Sequence, residues 1–181
     1  MRKWLIVFLT VFGLSAAAQA QDFSIRAGLN LAFTKPIVLI GDARLYATDV
    51  ARISSGVSLG IIANVNLFFT GSVSAFLSAG PAIVFDFDRG AGFAYVGVNL
   101  GLAAGGGTAF IFGLVGGVDY QINSGIGLFA DLNLIVVPAT LGFLDLGIDF
   151  TLSRGLDAYL KFNVGLGFNT FGVGGGLKFA L

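Results

Sequence analysis

From Val57 to Phe87 every odd-numbered residue is apolar. The series runs through Leu59, Ile61, Val65, Leu67, Phe69, Leu77, Pro81 and Ile83 without one polar side chain. The even positions carry Ser58, Asn64, Asn66, Thr70, Ser72, Ser74, Ser78 and Asp86. A period of two is the pattern of strands with one apolar and one polar face. A helix drawn through the same residues would spread those polar groups around its whole circumference. The charge-free run from Ile53 to Phe85, which hydropathy alone reads as a helical span, therefore predicts strands.

The same alternation along the chain predicts ten strands, over 23–33, 37–47, 54–68, 72–87, 93–103, 108–122, 126–137, 141–152, 157–168 and 171–181. Between them, 88–92, 105–107, 123–125 and 153–155 have the Gly, Asn, Asp and Ser content of hairpin turns. The stretch 34–56 is ambiguous, because 37–47 reads either as a strand or as part of a loop. Eight and twelve strands therefore stand beside ten, an even number being needed to bring both termini to one side. Pro81 keeps the phase of its strand but removes a ladder donor, which predicts a bulge or a strand end there.

The faces then decide the solvent. In this register the outward set is apolar, as in Phe23, Ile25, Ala27, Leu29 and Leu31, or Ala158, Leu160, Phe162, Val164 and Leu166. The charges turn the other way: Arg26, Asp42, Arg44, Asp86, Asp119, Asp131, Asp145, Asp149, Lys161 and Lys178 all take inner positions. A water-soluble sandwich would not place a charge on its core face in strand after strand. Lipid outside and a polar lumen explain the inversion. The expected fold is all-β, an antiparallel up-and-down transmembrane barrel in lipid. Phenylalanines and one tyrosine near outward strand ends, among them Phe33, Phe69, Phe110, Tyr120, Phe168 and Phe171, suit interfacial girdles.

Composition removes several functions. The chain is 56% apolar and 11% charged with zero net charge, and beyond Arg2-Lys3 its Lys and Arg stand singly, so nothing could neutralise a nucleic-acid backbone. It has no cysteine, no histidine and no glutamate. A Ser-His-Asp or Asp-His arrangement cannot be assembled, and the expectation is a protein that is not an enzyme and takes no cofactor or metal. Asp145 and Asp149, four residues apart on one face, lie about 13 Å apart along a strand, too far for joint acid and base work. The segment Gly172-Val173-Gly174-Gly175-Gly176 lacks the Gly-Lys-Ser/Thr of a phosphate loop.

Residues 1–20 read as a secretory signal. Arg2 and Lys3 precede an apolar run from Trp4 to Leu14, and Ala18-Gln19-Ala20 is a small-x-small site with cleavage expected after Ala20. The run is shorter than the roughly 20 residues of a spanning helix. The barrel domain is expected over 21–181.

With that signal, the alternating strands and a last strand carrying Leu177, Phe179 and Leu181 at alternate positions, the chain resembles the small bacterial outer-membrane barrels of the OmpA, OmpX and OmpW type. The resemblance is one of pattern over the whole barrel domain, and such barrels commonly end in Phe or Trp where this chain has Leu181. It implies residence in the outer membrane and recognition of the last strand by the barrel-assembly machinery.

The candidate functional constellation is the set of inward charges. Asp119, Asp131, Asp145 and Asp149 lie on strands six to eight, while Arg26, Arg44, Lys161 and Lys178 lie on the strands that close the barrel. Two walls of opposite sign could act as a selective constriction. On size, about ten strands favour a network of ion pairs filling a barrel too narrow to conduct. The expected role is structural, in envelope integrity or surface interaction. The alternative is a narrow conduit for small or apolar molecules, for which inward Gly97, Gly101, Gly113, Gly117, Gly165, Gly172, Gly174 and Gly176 would leave space.

Overall fold

The computed structural model describes residues 22–87, 91–137, 140–167 and 170–180. The signal segment with its cleavage site at Ala20, the turn residues Asp88 and Arg89, Phe168 and Leu181 lie outside the described residues. The strands are β1 (Asp22–Phe33), β2 (Val38–Ser54), β3 (Val57–Phe69), β4 (Val73–Phe87), β5 (Gly92–Gly105), β6 (Gly107–Asn123), β7 (Ile126–Val137), β8 (Leu141–Ser153), β9 (Leu156–Leu166) and β10 (Thr170–Ala180). Each pairs antiparallel with its chain neighbour, and β10 returns to β1 from Ser24↔Ala180 to Phe33↔Phe171, so the sheet closes. Closure leaves no free sheet edge, which is the condition for a sheet to stand in lipid. No helix among the described residues is long and apolar enough to cross a membrane.

The described strands number ten, and eight and twelve drop out. Strand β2 is the element that differs most from expectation, running to Ser54 instead of 47. The reason is a bulge: its register on β3 slips between Ala47 and Ala51, and Asp49 takes φ 52° there. Aspartate tolerates this left-handed backbone better than most residues. Its carboxylate holds Arg52 Nη2 at 2.8 Å. The alternation breaks at the bulge, which hid the strand's second part.

Pro81 sits inside β4 without the expected bulge. It pairs with Ile61 on one side, and the β4–β5 ladder is interrupted at Gly80-Pro81 and resumes in unchanged register, Ala79↔Leu100 before and Ala82↔Gly97 after.

The outward face is apolar from end to end, with Leu29, Leu100, Leu114, Leu146, Leu160 and Phe162 among its exposed large side chains. Strands of 11 to 17 residues meet or exceed the roughly 9–11 that a tilted membrane strand needs. At the end that holds both termini, the connections are stitched together. The carbonyls of Gly56, Ala91, Gly125 and Gly155 accept the N–H groups of Asp86, Gln121, Thr151 and Ala180. Gly56 and Gly155 take φ of 73° and 76°, which a residue with a Cβ adopts at a cost.

Candidate functional site

All eight predicted lumen charges meet inside the barrel, in two clusters. The larger centres on Arg26 of β1, which is 3% exposed. Its Nη2 lies 3.0 Å from Asp119 Oδ2 and 2.9 Å from Asp149 Oδ2, and its Nη1 lies 3.1 Å from Asp131 Oδ2. Arg44 Nη1 reaches the same Asp131 oxygen at 2.9 Å, and Lys178 Nζ bridges Asp119 at 2.7 Å and Asp149 at 3.3 Å. Three cations thus face three carboxylates. In the smaller cluster Lys161 Nζ stands 2.9 Å from Asp42 Oδ2 and 3.0 Å from Asp145 Oδ2. Here one cation serves two carboxylates, and the amides of Asn30 and Asn163 donate to the remaining oxygens of Asp42 and Asp145.

The register explains why Arg26 and Arg44 must find partners across the lumen. Arg26 is the direct cross-strand neighbour of both Arg44 on β2 and Lys178 on β10. Asp131 and Asp145 likewise face each other across β7 and β8. Like charges set directly opposite repel. Arg26 and Arg44 find their counter-charge across the lumen on β6 to β8, whereas Asp145 takes Lys161 from the neighbouring strand β9.

Aromatic residues complete the plug, and the sequence reading passed over them. The hydroxyls of Tyr46 and Tyr95 donate to Asp131, at 2.8 Å to Oδ2 and 2.6 Å to Oδ1. The Arg26 guanidinium carbon lies 3.6 Å from the centroid of the Phe129 ring and 5.7 Å from those of Tyr46 and Tyr159. A buried guanidinium is thereby given both charge and ring faces. The signal was present, since Tyr46, Tyr95, Phe129 and Tyr159 share the inward phase of their charged neighbours; attention to charge left them out. Asparagines also line the lumen: every odd-numbered strand carries at least one buried inward, Asn30, Asn64, Asn99, Asn133 and Asn163.

The room expected at the inward glycines is occupied. A methyl group at Gly117 would lie 2.7 Å from Asp131 Oδ1 and 2.8 Å from Tyr95 Cε1, and one at Gly113 would lie 2.5 Å from Asn99 Oδ1. At Gly97 and Gly101 the neighbouring backbone itself comes within 2.7 Å. These glycines admit large neighbours and close strand approach.

Along the axis the lumen has three zones. At the terminal end a cavity of about 360 Å³ reaches in past Asp22, Asp86, Phe93 and Gln121 to Asp119 and Lys178. The plug follows, and beyond it a cavity of only about 20 Å³, the room of one water, is lined by Asn30, Asn66, Asn133, Asn163, Asp145 and Lys161. At the opposite end a cup of about 380 Å³ opens, walled by Ile40, Phe68, Phe76, Ile135, Leu141 and Phe143. Among the described residues no group of His, Cys, Asp or Glu is arranged to hold a metal ion.

Similarity to known proteins rests on shape. No protein-family pattern matches the chain, and no curated protein matches it in sequence. The KdgM porin, solved in complex with disordered oligogalacturonate, superposes with a TM-score of 0.50 at 7% identity, over 87% of this chain and 98% of that one. Neisserial surface protein A superposes with a TM-score of 0.38 at 16% identity, over 87% and 95% of the two chains. A loop-deletion form of OmpT, an outer membrane protein of Vibrio cholerae, gives 0.44 at 11% identity over 90% of this chain; this chain spans 60% of its length. The fold is that of outer-membrane β-barrels.

Proposed function

We propose that this chain is a sealed barrel of a bacterial outer membrane with a structural role in the envelope, exported behind residues 1–20 and cleaved after Ala20. The observation that carries the reading is the plug. Arg26, Arg44 and Lys178 are each bound to carboxylates of β6 to β8, and the cavity beyond them holds about 20 Å³. An ion crossing this region would have to displace pairs whose loss costs about 3–5 kcal/mol each in a dry interior. Short connections support a structural role over surface recognition. Between consecutive described strands the chain never has more than four residues, as in 34–37, whereas binding loops are generally longer. By resemblance, β10 is the strand the barrel-assembly machinery would read. Its Leu177 and Phe179 face outward beside β1.

Recording in planar bilayers tests the proposal. The purified barrel should give a quiet baseline, and stable conductance steps altered by Asp131→Asn would sink it. Migration in detergent gels before and after boiling reports the fold separately; a folded barrel runs at a different position when unheated.

One observation favours the second reading, a narrow conduit. Cavities of about 360 and 380 Å³ enter the lumen from its two ends and stop on either side of the plug. Parting of the plug would join them.

A further inference from the structure

The interior of a membrane barrel is ordinarily polar, because water fills whatever side chains do not. Here the inward face changes character along the axis. On β2 the inward residues run Tyr46, Arg44, Asp42 and then Ile40 and Val38; on β7 they run Asp131, Asn133 and then Ile135; on β3, Asn64 and Asn66 give way to Phe68. The end away from the termini is therefore lined by aliphatic and aromatic groups that no lipid touches. Phe68 packs edge-on against Phe76 with centroids 5.2 Å apart and lies 6.3 Å from Phe143, so rings from β3, β4 and β8 converge. The wall is concave and blind, since Asn163 and the Lys161–Asp145 pair close its floor.

We infer that this cup binds one small, mainly apolar molecule, a single ring system or short hydrocarbon chain carrying one hydroxyl or similar polar group. Three features fit that class. The volume of about 380 Å³ lies at the low end of small-molecule sites, which excludes a two-chain lipid. Among the described residues the walls hold no charge, and the nearest ions are already paired with each other. The rim carries the hydroxyls of Thr34, Thr70, Ser74 and Thr170, which suit a hydrogen-bonding head at the water side. The inference rests on the sealed reading only in that the plug makes the cup blind.

The test uses the barrel in phospholipid nanodiscs, titrated with 1-naphthol and followed by methyl NMR. Binding should saturate at one molecule per barrel, shifting the Ile40, Ile135 and Leu141 methyls and sparing Ile25 and Ile148 on the lipid side. Ile135→Asn should weaken it at least tenfold, and Phe76→Ala, a milder change, should weaken it several-fold; both should keep the unboiled gel position. Ile148→Ala should change nothing. Unsaturable uptake with equal shifts on both faces, affinity unmoved by both cup variants, or Overhauser contacts showing a disc acyl chain seated on Ile135 would each overturn the inference. Naphthol delivery into sealed vesicles faster than leakage through empty ones would instead overturn the sealed reading and leave the binding site standing.

Discussion

The Arg26 guanidinium carbon lies 3.6 Å from the centroid of Phe129, so a cation and an aromatic face meet at the centre of a membrane barrel. Around this contact three carboxylates approach within 3.1 Å of the same guanidinium. Arg26→Ala would leave Asp149 and Asp119 on Lys178 alone and Asp131 on Arg44. The expected cost is about 3–5 kcal/mol. Urea unfolding of the refolded barrel, read by gel position, checks it. Arg26→Lys should recover only part of the loss, because an ammonium cannot present two forked donors to separate carboxylates.

Asp131 supports a second prediction. Tyr46→Phe and Tyr95→Phe each delete one hydroxyl that donates to it. Each should destabilise by about 1.5–3 kcal/mol, the range for hydrogen bonds to charged groups. The double variant should depart from additivity, because both hydroxyls serve one carboxylate. A double-mutant cycle in urea measures the departure, and strict additivity would contradict the shared site.

Lipid and water make opposite demands on two equally exposed residues. Leu160, 64% exposed, stands at the middle of β9, while Ile37, 62% exposed, lies in the connection before β2. Leu160→Arg should cost about 2–4 kcal/mol in a bilayer, and Ile37→Arg should cost at most about 1 kcal/mol. Unfolding in lipid vesicles separates them. Equal costs would mean that the outer face does not meet hydrocarbon.

Glycine positions offer a fourth contrast. Gly117→Ala would press a methyl against Asp131, Tyr95 and the Ala130 carbonyl, and overpacking of this kind costs about 1–3 kcal/mol. Gly106→Ala meets nothing within 4 Å and should be neutral within about 0.5 kcal/mol. Thermal shifts of unboiled gel mobility would show the difference.

The sequence made the strands legible because lipid on one side and a polar lumen on the other enforce a strict period of two, and the end residues of most strands fall within two or three positions of the alternation. It failed where that constraint lapses. The second half of β2 is masked by the Asp49 bulge, and the accommodation of Pro81 depends on the local gap opposite Val98 and Asn99, which no single strand reveals. The ion pairs were readable as two walls of opposite sign. The Tyr46 and Tyr95 donors, the Phe129 platform and the filling of Gly117 were not, since each depends on the register between strands, which the alternation within one strand does not reveal. The apolar cup was visible in the inward phase as Ile40, Phe68 and Ile135, but alternation alone treats any inward apolar residue as an exception.

The row Arg44, Arg26 and Lys178 crosses the seam where the first and last strands join. Arg44 and Arg26 already face each other across β2 and β1, and closure adds Lys178 of β10 beside them, so like charges oppose the pairing that completes the sheet. Their relief comes from Asp119, Asp131 and Asp149 on β6 to β8; Lys178 and Asp149 are only two strands apart, but Arg26 and Arg44 reach these carboxylates once the cylinder has formed. For Arg26 and Arg44 ring closure and charge neutralisation are therefore one event, and a half-open barrel carries an electrostatic penalty that the finished one has shed. The plug thus acts as a latch for assembly as well as a stopper for the lumen.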